Sequence, residues 1–247
     1  MRIGIFSDIH ANVDALRVVI DGLAQGDIDQ FVCLGDVVGY GASPDECCSL
    51  VRPLVRHCVL GNHDAAVAQR MDYEYYYSAA RNALDYHRSL LTADNLAWLQ
   101  ELPRVVYEDD RCYSHGSPVN PEAFDYVFHE GHARDLLAHY EDLARITFIG
   151  HSHLTRSFRL NPDDEVDVED VSAEEITLDE TSRYIVTVGS VGQPRDHDAR
   201  ACYVVYDTDA GTVRFHRVGY DVRNAARRIY ERDQLSPEFA KRLYLGI

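Results

Sequence analysis

The sequence predicts an α/β fold, a four-layer α-β-β-α sandwich of two mixed sheets flanked by helices, with a metal site at the carboxyl edges of the strands. Three observations predict it. Short apolar runs alternate with helical patterns over the first sixty or so residues, the order of strand–helix–strand units in a mostly parallel sheet. A second series of strands follows between Arg104 and Val218, an order that fits two sheets packed face to face. Five of the apolar runs end alike, with Asp, Asn or His at the exit and usually Gly beside it, where ligands gather at the rim of an α/β sheet.

Taken in order, Ile3 to Phe6 is the first strand, and Asn12 caps a helix carrying Val13, Leu16, Val19, Ile20 and Leu23 at helical spacing. Phe31 to Leu34 is a buried strand that delivers Asp36. Ser43-Pro44 starts the next helix, and Cys58-Val59-Leu60 is strand three. Residues 65–102 read as helical, with Tyr73, Tyr75, Tyr76, Tyr77, Tyr86 and Trp98 packing the helices or, for some of the tyrosines, lining the rim. Val105 to Ser114 reads as a hairpin turning at Glu108-Asp109-Asp110, a helix runs from about Gly131 to Leu143, and Ile146 to Ile149 carries the last motif.

Beyond it, Thr155 to Leu160 is a strand. An acidic insert at about 162–180 reads as an exposed hairpin or ordered loop; it lacks the DxDxDG spacing of a calcium loop, which favours solvated acidic surface. Ile185 to Val188, Ala201 to Asp207 and Val213 to Val218 complete the strands. A helical tail begins at about 222, with Ser236-Pro237 as a helix start. The expected organisation is one domain, 1–247, without repeat or linker.

Composition narrows the function. With net charge −17 and one lysine, Lys241, the surface repels polyanions, so extended nucleic-acid binding is not expected; a compact phosphate ester needs metal ions for its local positive charge. No apolar run approaches 18 residues, so no membrane span is expected. The first strand begins at once after Met1-Arg2, and the six cysteines show no CxxC spacing; the expected setting is cytoplasmic with reduced thiols.

The five strand exits pool Asp8, His10, Asp36, Asn62, His63, His115, His151 and His153. Carboxylate, amide and imidazole without thiolate suit a pair of borderline divalent metals, manganese first, with iron, zinc, nickel or cobalt as alternatives. Seven of these eight serving two ions require a bridge, and Asp36 is the choice because a carboxylate has two oxygens to share. A lone histidine is more often surface or core than ligand, and His57, His87, His139 and His216, outside the motifs, are read that way. His129-Glu130-Gly131-His132 spaces its histidines three apart and so lacks the zinc-protease geometry.

These motifs resemble the calcineurin-like metallophosphoesterases. Asp8-Ile9-His10, Gly35-Asp36-Val37-Val38-Gly39, Gly61-Asn62-His63-Asp64, His115-Gly116 and Gly150-His151-Ser152-His153 match the family's five elements in order over residues 1 to about 218. The stretches SDIHAN, GDVVGYG, HGSP and GSVGQPRD are closest to a small prokaryotic branch of phosphodiesterases, some named after diadenosine tetraphosphatase. The resemblance implies a first metal on Asp8, His10 and His153, a second on Asn62, His115 and His151, Asp36 between them, and attack on phosphorus by a metal-held hydroxide. It leaves His63 as general acid for the leaving oxygen, with Asp64 orienting it and keeping it protonated.

Departures from the family narrow the substrate. Protein phosphatases of the superfamily carry clamping arginines where this chain has Gly39-Tyr40-Gly41 and Asp64-Ala65-Ala66. A small phosphodiester, nucleotide or dinucleoside polyphosphate is therefore expected over a phosphomonoester dianion. Arg195 is read as touching substrate or else as ion-paired with Asp196 or Asp198, and Asn12 and Tyr40 are further substrate-side candidates. The alternatives are a phosphomonoesterase or protein phosphatase, and a non-catalytic binding protein on the same fold, against which the intact ligand set argues.

Overall fold

The computed structural model describes residues 1–247. The elements run β1 (Arg2–Phe6), α1 (Val13–Ala24), β2 (Gln30–Cys33), α2 (Pro44–Val51), β3 (His57–Cys58), α3 (Asn62–Val67), α4 (Ser78–Leu90) and α5 (Ala93–Glu101). There follow β4 (Val105–Glu108), β5 (Arg111–Ser114), α6 (Glu130–Asp135) with a 3-10 turn over Leu136–Asp142, β6 (Ile146–Ile149), β7 (Thr155–Leu160), β8 (Val168–Asp170) and β9 (Glu175–Thr177). The chain closes with β10 (Arg183–Val188), β11 (Ala201–Asp207), β12 (Thr212–Val218), α7 (Val222–Tyr230) and α8 (Pro237–Leu245).

Two six-stranded mixed sheets result, in the orders β3-β2-β1-β11-β12-β9 and β4-β5-β6-β10-β7-β8. Each contains a parallel set, β3-β2-β1 in one and β5-β6-β10 in the other, so six carboxyl ends face a common rim. Side-chain alternation assigns the layers. Ile3, Ile5, Val32, Tyr113, Phe148, Val186 and Val204 point between the sheets and form their shared core. Phe6 and Cys33, one residue out of phase with Ile5 and Val32, face outward and pack with α1 and α2 residues Leu16, Val19, Cys47 and Val51.

Two expectations need correction. The helical reading of 65–102 is interrupted: α3 stops at Val67, and Tyr73, Tyr75, Tyr76 and Tyr77 lie in the loop before α4. The acidic insert does not form a hairpin with itself. β8 pairs with β7 in one sheet and β9 with β12 in the other, so the insert crosses between sheets, burying Val168, Ile176 and Leu178. Its partly alternating valines and isoleucine, legible in the sequence, serve two separate edges.

His87, read as surface or core rather than ligand, is fully buried and ties the loop after β2. Its Nδ1 accepts from Gly39 N–H at 3.0 Å and its Nε2 donates to the Gly41 carbonyl at 2.7 Å, an arrangement only the neutral ring can make. Burial accordingly pushes its pKa down to about 4. Between there and its unfolded value near 6.5 the unfolded chain binds one proton more, so acidification through this window destabilises the fold, by about 1.4 kcal/mol per pH unit at most. His87→Gln is expected to reduce that acid-side slope in denaturant unfolding between pH 4 and 7. His87→Ala, which strands both loop groups, is expected to cost about 1–3 kcal/mol at neutral pH.

Candidate metal centre

The ligand-bearing loops are tied to one another at the backbone. Asp8 N–H donates to the Gly35 carbonyl, His10 N–H to the Asp36 carbonyl, Gly150 N–H to the His115 carbonyl and Gly192 N–H to the Asp8 carbonyl. The turns are sharp enough that Asp8, His10, Asp36, His151 and His153 all adopt positive φ, between 48° and 64°. Such conformations cost energy in non-glycine residues and persist only where surrounding structure enforces them. Glycine is required at Gly61, because a Cβ there would overlap the Asp36 carboxylate.

All seven expected ligands are buried and come together. Asp8, His10 and His153 bring donor atoms within 4.8 Å of one another, as do Asp36, His115 and His151. Asp36 lies between the groups, its Oδ2 3.6 Å from His10 Nε2 and 3.4 Å from His115 Nε2. Asn62 joins the second group, with Oδ1 3.1 Å from His115 Nε2.

The donor set fits cations on its own chemistry. Nδ1 of His10, His115 and His153 each donates to a carbonyl, of Val38, Leu34 and Gln193, which turns the Nε2 lone pairs inward. His10 Nε2 and His153 Nε2 then face each other at 3.1 Å, while Asp8 Oδ1 is buried without any hydrogen-bond donor. Acceptors converging on acceptors call for a positive charge among them. Burial alone would lower His115, but Asp36 beside it, with help from Asp8, drives it up to about 10. His10 and His151 are held down by burial, His151 to about 3. Metal entry must expel the His115 proton, so affinity falls with falling pH.

Two assigned roles change. Asp64 does not meet the His63 ring: its oxygens accept from Val38 N–H at 3.1 Å and Gly61 N–H at 3.2 Å, clamping the two motif loops together. Successive helical residues point about 100° apart, so adjacency in Asn62-His63-Asp64 does not mean contact. His63 Nδ1 has no partner, and burial lowers the ring to about 4, neutral in the free protein. Asn12 is committed elsewhere. Its Oδ1 caps α1 through Ala15 N–H, and its Nδ2 donates to the Gly192 carbonyl and Tyr220 hydroxyl.

Tyr40 and Arg195 do face the ligands. They line a cavity of about 430 Å³ together with Asp36, Asn62, His63, His151 and His153. Tyr40 packs its ring against His10 and His63, and Phe239 of α8 backs it at 5.0 Å. Arg195 forms no ion pair: Asp196 is held by Arg217 and Asp198 by Arg200. The remaining walls are largely aromatic, from Tyr75, Tyr76 and Tyr77 on the α3–α4 loop and from Phe124 and Tyr126 on the β5–α6 loop. Tyr126 stacks on His151 at 3.9 Å. The β5–α6 aromatics carried no motif signal, whereas Ser190, inside the GSVGQPRD stretch, braces the Asp8 and Gln193 backbones.

Tyr76 has a definable effect on the ligands. Its hydroxyl accepts from Asn62 Nδ2 at 2.5 Å, which keeps Asn62 Oδ1 turned toward His115. Tyr76→Phe removes the hydrogen bond that holds the Nδ2 end of this amide. The expected result is a roughly 10–100-fold weaker affinity for the more weakly held ion, read by calorimetric metal titration, with the fold unchanged.

Convergent carboxylate, imidazole and amide donors at the carboxyl rim of paired α/β sheets define a candidate metal centre, and the family match makes the protein a metal-dependent phosphoric ester hydrolase. The chain belongs to the calcineurin-like phosphoesterase family, whose sequence profile matches residues 1–167. It is 34% identical over 257 aligned positions to protein MJ0912 of Methanocaldococcus jannaschii, covering 99% of this chain and 98% of that one. Among solved structures it resembles a metallophosphoesterase from Sphaerobacter thermophilus (34% identity, TM-score 0.85, covering 100% of this chain and 99% of the other). Protein PH1004 from Pyrococcus horikoshii OT3 shares the fold at 19% identity and TM-score 0.76, covering 100% of this chain and 98% of the other. No helix is long and apolar enough to cross a membrane.

Proposed function

We propose that the protein is a binuclear metal-dependent phosphodiesterase acting on a small phosphodiester, nucleotide or dinucleoside polyphosphate. The observation that carries this reading is the cationic content of the cavity: Arg195 is its sole arginine or lysine, set among aromatic walls. A phosphomonoester dianion is selected by paired, bidentate arginines. One arginine suits the single negative charge of a diester, and the tyrosines suit its organic groups.

In this reading Asp8, His10 and His153 hold one ion, Asn62, His115 and His151 the other, and Asp36 both, with manganese the first choice. When bound, the ions supply a water of lowered pKa and positive charge for the phosphoryl oxygens. Arg195 orients the ester, and Tyr40 and Tyr76 confine it. His63 donates a proton to the departing oxygen; the ring takes up that proton as the bound phosphate anion raises its pKa. We place the enzyme in the cytoplasm, where its six buried free cysteines stay reduced, and treat 1–247 as one domain.

The test is steady-state hydrolysis of bis-p-nitrophenyl phosphate and p-nitrophenyl phosphate by manganese-loaded protein. The diester is expected to have the higher kcat/KM. A higher value for the monoester would favour the phosphomonoesterase reading.

A further inference from the structure

Tyr126 walls the space around the metal ligands. With Asp125, this tyrosine also walls a second cavity of about 510 Å³, within the roughly 300–1,000 Å³ of small-molecule sites. Tyr126 is 44% exposed although its ring lies nearly parallel to His151, so the stack leaves much of the side chain available. Phe128 meets Tyr126 edge-on at 6.0 Å, and His132 meets Phe128 edge-on at 4.8 Å. Asn120 and Asp135 add hydrogen-bonding groups, and neither lysine nor arginine lines the space. His132 Nδ1 is buried without a partner.

We propose that this second cavity is the subsite for the retained arm of the diester, and that it takes a planar, amino-bearing heterocycle, a nucleobase. The proposal rests on the phosphodiesterase reading and deepens it. In-line displacement places the leaving oxygen beside His63, whose neighbours are Tyr40 and Tyr76. The retained arm must depart from phosphorus off that axis, and the His151 side, at Tyr126, is where a second cavity shares the wall. With no lysine or arginine in its wall, and with Asp125 and Asp135 there beside His132 and His139, the space disfavours a second phosphate as occupant. Aromatic edges and faces suit a flat ring, and the Asp125 and Asp135 carboxylates suit ring amino groups, which donate and cannot be matched by a phosphate.

The experiment compares two esters with the same leaving group, adenosine 5′-(p-nitrophenyl) phosphate and methyl p-nitrophenyl phosphate, on manganese-loaded full-length protein. In each, the phosphorus–aryloxy bond breaks, p-nitrophenolate departs, and water supplies the new oxygen, giving adenosine monophosphate or methyl phosphate. The adenosine ester is expected to have a kcat/KM at least about tenfold higher, mostly through KM, the size of one base–aromatic stack. In Phe128→Ala and His132→Ala this ratio is expected to fall toward one, whereas Tyr230→Ala, an exposed tyrosine outside both cavities, should preserve it. Because both esters are measured on one sample, partial loss of folded protein cancels.

Equal values for the two esters in the unaltered protein, or a ratio indifferent to both substitutions, would overturn the proposal while leaving the phosphodiesterase reading intact. If neither ester is hydrolysed, that reading fails instead, and calorimetric binding of adenosine monophosphate decides the subsite. Affinity weakened about tenfold by Phe128→Ala upholds it, and no binding, or binding blind to the substitution, overturns it.

Discussion

Asp36→Ala is expected to leave protein that retains neither ion and turns over an activated diester roughly 10⁴-fold more slowly or worse, since hydroxide near pH 7 depends on lowering a water pKa of about 15.7 to about 7. The size of the effect follows from position. Asp36 Oδ2 is shared between His10 and His115, one from each ligand group, at 3.6 and 3.4 Å. Without it the histidines that remain are neutral donors around one carboxylate, Asp8. Burial opposes charge on Asp36, yet the His115 and His63 imidazoles hold its pKa well below the usual carboxylate range, so it is an anion at every working pH. Asp36 Oδ1 also accepts from His63 N–H at 2.9 Å and so anchors the start of α3. Asp36→Asn, which keeps an acceptor there, separates the two roles: it should fold, show native circular dichroism, and still lose metal by elemental analysis. An Asp36→Asn protein with two ions would remove the bridge from the account.

The sheets and the clustering of the strand-exit side chains were legible because strand periodicity and strand-exit chemistry are both local. Residues such as Val32 and Cys33 announce a buried strand by type alone, and glycine beside Asp36 or His151 marks the turn at its end. What was not legible depended on direction or on distant partners. Nothing in Asn62-His63-Asp64 tells which way each side chain leaves the helix, and Asp64 faces a backbone clamp, away from its neighbour's ring. Asn12 shows the converse: its capping role was read correctly, but its amide donors are taken by Gly192 and Tyr220, some 180 and 208 residues on. Tyr76 was one tyrosine in a run of three, and its bond to Asn62 exists only because α3 stops at Val67 and lets the chain double back. The acidic insert was opaque for another reason, since the two edges its strands complete belong to different sheets.

His63→Ala is expected to produce the second large effect, a loss of roughly 10²–10⁴-fold on diesters with poor leaving groups and a smaller one with p-nitrophenolate, which departs without a proton. Metal content should stay near two ions, because His63 is not assigned as a ligand. The leaving-group contrast is chemical and cannot be imitated by partial unfolding, which slows all substrates alike. Equal losses on good and poor leaving groups, with both ions retained, would take His63 out of the acid role. Loss of an ion would make it a ligand, a position its approach to Asp36 and His10 within 4.8 Å makes stereochemically accessible. Asp64→Asn serves as the contrast. Because Asp64 clamps Val38 and Gly61 rather than His63, its loss should lower thermal stability without leaving-group dependence.

A pair of ions bridged by Asp36 is tested most directly by anomalous diffraction from crystals grown with manganese. Two anomalous peaks are expected, roughly 3.5–4 Å apart as in hydrolytic metal pairs, each in coordination distance of Asp36, one beside Asp8 and His153 and the other beside His115 and His151. A single peak at saturating manganese, or two peaks that share no contact with Asp36, would contradict it.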